Sequence, residues 1–121
     1  MAIRIKGVKV QSVENTETKR LKIVKLDSKS DGITLVLEVP EALCAKIEDS
    51  KTLDVVIDSK PITRGEKSLL YMEGTVFKQK DEKEFEVVAT MGGLRLMVVL
   101  RKATPAKKKT FDSETIFLAL S

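Results

Sequence analysis

The chain has 121 residues, a formal net charge of +4, one cysteine and no histidine. That length fits a single domain, residues 1–121, large enough to bury a core without staples. A lone Cys44 excludes an internal disulfide, and the missing histidine excludes a conventional zinc site and the commonest general base.

The dominant hydrophobic period along the chain is two, which predicts β-structure. Ile3 and Ile5 alternate with charged residues, and the apolar phase then changes after Gly7 to Val8 and Val10. A glycine at a phase change predicts a β-bulge. Leu21 and Ile23, followed by Val24 and Leu26, repeat that behaviour in a second strand. Ile33, Leu35, Leu37 and Val39 form a third strand, entered through the turn signal Asp31-Gly32.

Pro40 begins the segment PEALCAKI, which predicts one or two helical turns with Glu41 near the positive end. Leu43 and Ile47 lie four apart and share a face. This is the one helix the pattern predicts. Cys44 within it is expected to be buried and therefore inert. Leu53, Val55 and Ile57 form a fourth strand.

The segment DSKPITRGEKS reads as a loop broken by Pro61 and Gly65. A fifth strand is predicted from Leu69 to Lys78, with Leu70, Met72 and Val76 on one side. Gly74 inside it marks a bend or a close approach. After the charged turn at Asp81-Glu82-Lys83 a sixth strand carries Phe85, Val87 and Ala89. Gly92-Gly93 predicts a tight hairpin rather than a phosphate-binding turn. It has no GxGxxG or GK[ST] pattern and leads into a strand, not a helix. Leu94, Leu96, Val98 and Leu100 form the seventh strand. KATPAKKKTFD is expected to be a basic loop, and Ile116, Leu118 and Leu120 make the eighth strand.

Eight short strands, one short helix and phase-breaking glycines predict an all-β fold, an eight-stranded antiparallel OB-like barrel. Closure removes the exposed edges of an open sheet. Two strands carry apolar residues on both faces. Met97 and Val99 oppose the core side of strand seven, and Leu69, Tyr71 and Phe77 oppose that of strand five. A small barrel buries one face of each strand. The excess must be covered by the helix, by loops or by another protein. Tyr71, Phe77, Gly92, Gly93, Leu94, Met97 and Val99 are the candidate protein interface.

No pair of carboxylates falls in a recognisable shared cleft, so a glycosidase-like site has no support. No catalytic residue, metal site or cofactor is expected. Lys107, Lys108 and Lys109 form a candidate nucleic-acid contact, or else a solvated basic loop. With one tyrosine and four phenylalanines, the chain lacks a base-stacking platform. No segment reaches the roughly 18 apolar residues of a membrane helix, and the N-terminus lacks a signal-peptide core. A cytoplasmic protein is expected. Asn15, Gln11 and Gln79 are the only side-chain amides, a composition that leans towards a thermophile.

The order of these segments resembles the small barrel subunit shared by archaeal and eukaryotic multisubunit RNA polymerases, which in eukaryotes is the eighth common subunit of the nuclear enzymes. The segments that carry the resemblance are YMEGTVFKQ at 71–79, VVATMGGLRLMV at 87–98 and FDSETIFLAL at 111–120, with weaker ones at 33–43 and 51–59. The resemblance covers nearly the whole chain. It implies a non-catalytic, peripheral subunit packed chiefly on the largest polymerase subunit, and DNA or RNA is expected to be met only indirectly or weakly. It assigns Gly74, Gly92, Gly93 and Leu94 a structural role. The short connection between Asp58 and Ser68 and the lysine-rich segment from Lys102 to Thr110 favour the archaeal branch. The alternative is a free-standing OB-fold protein that binds single-stranded nucleic acid.

Overall fold

A computed structural model describes residues 2–16, 20–62, 68–91 and 93–121. The elements run in the order β1 (Ala2–Asn15), β2 (Leu21–Ser28), β3 (Ile33–Pro40), α1 (Glu41–Ser50), β4 (Thr52–Asp58), β5 (Leu70–Asp81), β6 (Phe85–Met91), β7 (Leu94–Leu100), α2 (Pro105–Lys109) and β8 (Thr115–Leu120). All eight strands close into one antiparallel barrel in the order β1-β2-β3-β7-β6-β5-β8-β4. The predicted barrel is therefore the observed one. Part of the predicted loop before β5, residues 63–67, lies outside the described residues.

Period-two patterning drives the closure. Ile33, Leu35, Leu37 and Val39 of β3 all point inward and are buried, as are Leu96, Val98 and Leu100 of β7. Inward residues of every strand join one hydrophobic cluster, and this burial is the main force holding the barrel shut. The long strands curve through bulges. The ladder between β1 and β4 shifts register between Ile5 and Val8, around Gly7 as expected. A second bulge lies in β1 between Val10 and Ser12, and a third in β5 between Val76 and Lys78.

The phase change in β2 has a different cause from the one the sequence suggested. Strands β2 and β3 pair without a shift from Leu21 opposite Pro40 to Ser28 opposite Ile33. Leu21 and Ile23 therefore lie on the outer face, half-buried, while Val24 and Leu26 face the core. The extra residue belongs to β1 instead.

Each end of the barrel has a plug. The helix α1 starts directly after Pro40 and runs longer than its apolar pattern predicted. It packs against β1, β2 and β3, and its Cys44 and Ile47 are in the core cluster. Burial raises the Cys44 thiol above its ordinary pKa, and the nearby Glu48 carboxylate adds to the rise. At the opposite end, where β3 begins, Phe111 is fully buried. Its ring lies 6.0 Å from that of Phe85, and its carbonyl accepts a 2.6 Å hydrogen bond from Gln79 Nε2.

The segment before Phe111 departs from the predicted basic loop. Pro105–Lys109 is a short helix, and the Thr104 hydroxyl accepts a hydrogen bond from the Lys107 amide at 3.3 Å. A threonine cap followed by proline at the first helical position is a helix-start signal. It was present in the sequence and outweighs the run of lysines.

Candidate docking surface

The outer face of β3, β7 and β6 carries a row of apolar side chains fixed by strand register. Val36 pairs with Met97, and Met97 pairs with Val88. Cross-strand partners project from the same face and touch. Beyond the ends of this row, Val36 pairs with Lys25 of β2 and Val88 pairs with Lys78 of β5. The three apolar residues are half-buried and both lysines are exposed. Across β7, the next row places Val99 between Thr34 and Glu86.

Phe77 extends this surface. It is the extra residue of the β5 bulge, set between the Val76–Ala89 and Lys78–Val88 pairs. It is 57% exposed and is the one large hydrophobic exposed among the described residues. A bulge re-aims the side chain it carries, and here it lifts a phenylalanine out of the core beside the apolar row.

Tyr71 belongs to a different surface, which corrects the single interface expected from sequence. It pairs with Ala119 of β8, which pairs in turn with Val56 of β4. Its ring stacks on Phe117 at 6.2 Å and 21°. Its hydroxyl accepts a 3.2 Å hydrogen bond from the Ile62 amide. The connection after β4 thus holds Tyr71 down, and the residue is half-buried. Leu69, expected on the outside, packs against the core cluster. Leu94 pairs with buried Met91 at the hairpin end and does not share the face of Met97.

Gly93 takes φ +84° in the β6–β7 turn, a conformation that favours glycine. Gly92 lies outside the described residues. On either side of it Met91 pairs with Leu94, and Gly93 is exposed.

The three lysines of α2 have different surroundings. Lys108 Nζ lies 2.9 Å from Asp81 Oδ2 and 5.7 Å from the centre of the Phe85 ring. Lys107 and Lys108 are half-buried, and Lys109 alone of the three is exposed. The folding of α2 draws Lys108 back onto the barrel end.

Sequence reasoning missed Val36 and Val88. The signal was available, since each is an apolar residue out of phase in an otherwise alternating strand. It becomes a surface only when β7 is placed between β3 and β6. Among the described residues, no group of three or more histidine, cysteine, aspartate or glutamate side chains is placed to hold a metal ion. No described helix is long and apolar enough to cross a membrane. Comparison with protein-family models and with curated proteins finds no match to this chain.

Proposed function

We propose that this barrel is a non-catalytic, peripheral subunit of an archaeal DNA-directed RNA polymerase, acting in the cytoplasm of a thermophile and docking on the largest subunit to support assembly. The observation that carries the docking part is the apolar row Val36–Met97–Val88, with Phe77 exposed beside it. The polymerase part rests on the resemblance. Two of its three stronger segments, 71–79 and 87–98, carry residues of this surface, and the third lies elsewhere on the barrel. YMEGTVFKQ is β5 with its glycine and bulge, VVATMGGLRLMV spans β6 and β7, and FDSETIFLAL runs from the Phe111 plug through β8.

Docking requires no chemistry from the barrel. Phe77 and Met97 bury against an apolar patch, as aromatic and methionine side chains do at interfaces. Lys25 and Lys78 at the two ends of the row favour a partner whose patch is rimmed with carboxylates, and that rim sets orientation. The test is to tag the chain in its native cell and identify the proteins that co-purify. Recovery of the large polymerase subunits is expected. A clean preparation without them overturns the assignment.

A further inference from the structure

The long strand β1 divides its two edges between two neighbours. From Ala2 to Lys9 it pairs with β4, whereas pairing with β2 begins only at Lys9 opposite Asp27 and runs on to Asn15. Strand β2 ends at Ser28, and the turn after it leads the chain away into β3. From Ala2 to Val8, the edge of β1 that faces away from β4 therefore has no strand beside it among the described residues. Beyond the β4 ladder, the one hydrogen bond to this stretch among the described residues runs back to β4, from the Gly7 amide to Asp54 Oδ1 at 3.1 Å. The space beside the edge is open. A side chain added at Gly7 would meet no atom within 4 Å, and a groove of about 430 Å³ begins there, lined by Gly7, Lys9, Ser28 and Ser30 among others.

The side chains along this edge have one sign. Ile3, Ile5 and Val8 are buried in the barrel, and Arg4, Lys6 and Gly7 are exposed. Neither Arg4 nor Lys6 joins an ion pair among the described residues, and nor do Lys9 and Lys29 at the groove. The carboxylates around them are engaged. Asp27 accepts from Thr34 and Arg101, Asp31 from the Ser28 hydroxyl, Asp54 from the Gly7 amide and Asp58 from the Lys60 amide.

We propose that this edge of β1 takes up an extended segment of a partner protein as an added strand, one in which acidic residues alternate with apolar ones. An added strand draws affinity from backbone hydrogen bonds and selectivity from its alternate side chains. Its outward residues would stand about 5 Å from Arg4 and Lys6. Asp54 and Asp58 would lie two strand spacings away on β4, about 10 Å, so carboxylates fit beside the two cations. Its inward residues would continue the wall made by Ile3 and Ile5, which suits apolar side chains. A second copy of this chain fits poorly, because pairing β1 with itself sets Arg4 and Lys6 against cations. A charged, bulged edge is the usual guard against such self-association. The inference does not rest on the polymerase reading, and the docking row lies on other strands.

The test is fluorescence anisotropy of the full chain with a labelled peptide TVEVEVT, capped at both ends. Saturable binding with a Kd below about 1 mM is expected. At about ten times that concentration of peptide, alternate amides between Ile3 and Val8 should exchange their hydrogens about tenfold more slowly. Two further peptides, N-methylated at one or the other set of alternate residues, separate strand addition from charge attraction. The one that loses its edge-facing amides should fail to bind, and the other should bind. The variant Arg4→Glu/Lys6→Glu should bind at least about fivefold more weakly, and the milder Arg4→Gln/Lys6→Gln should fall between. Circular dichroism confirms that each variant is folded. Absent binding up to about 1 mM, equal binding of the two N-methylated peptides, unchanged binding by both variants, or protection confined to strands other than β1 would overturn the proposal.

Discussion

Gly74 and Met91 face each other across the β5–β6 ladder, and the Met91 thioether occupies the space a side chain on residue 74 would need. The Thr90 carbonyl closes the same space from the backbone side. Met91 is fully buried, so it has no room to withdraw. Gly74→Ala should therefore destabilise the barrel by about 1–3 kcal/mol, the usual cost of overpacking. Urea denaturation followed by circular dichroism would read this as a lower midpoint at unchanged slope. An unshifted midpoint would mean that the two strands can separate at no cost.

Phe111 closes the barrel end that α1 leaves open. Phe111→Ala removes a fully buried ring packed on Phe85 and should cost about 3–5 kcal/mol. Lys108→Ala, which loses a part-exposed ion pair with Asp81, should cost less than about 1 kcal/mol. Thermal unfolding of the two variants side by side checks the ordering.

Asp27, Thr34 and Arg101 converge from three strands or their ends, and the Asp27 carboxyl is held below its ordinary pKa. The Thr34 hydroxyl donating to the carboxylate is the first cause, opposed by burial and supported by Arg101. Because the folded pKa is depressed, the unfolded chain binds the proton more readily. The stabilisation is therefore present above about pH 4 and is lost as pH falls through the folded value. Asp27→Asn should cost about 1–2 kcal/mol near neutral pH and flatten the loss of stability below about pH 4. Denaturation at a series of acid pH values separates this from a general acid effect.

Met97 and Tyr71 should respond oppositely, since the structure puts them on different surfaces. Met97→Glu leaves the core intact and should abolish co-purification with the polymerase. Tyr71→Ala loses the stack on Phe117 and the Ile62 contact. It should cost about 1–3 kcal/mol of stability and still permit docking. Pull-down and thermal denaturation of both variants give the four values needed. Normal incorporation of Met97→Glu would remove the interface from this face.

Much of the barrel is local information. Ile33, Leu35, Leu37 and Val39 declare a strand and its buried face by alternation alone, and Leu43 with Ile47 declares a helical stripe. Gly74 announces a close approach, and Gly92-Gly93 announces a turn. These signals survive because side-chain direction follows backbone period whatever the surroundings. Thr104-Pro105 was equally local, and the lysines that follow hid it.

The rest depended on which strands became neighbours. Period two separates inward from outward residues, but it does not say that β7 lies between β3 and β6 or that β8 divides β5 from β4. Only closure joined Val36, Met97 and Val88 into a row, moved Tyr71 to another face, and brought Arg101 to Asp27 across 74 positions of chain. Cross-strand pairing links residues far apart in sequence through backbone hydrogen bonds common to all residue types, so no short stretch of side chains encodes it. What the chain specifies by itself is which face of each strand is buried, and the assembled barrel alone decides what stands beside what on the outside.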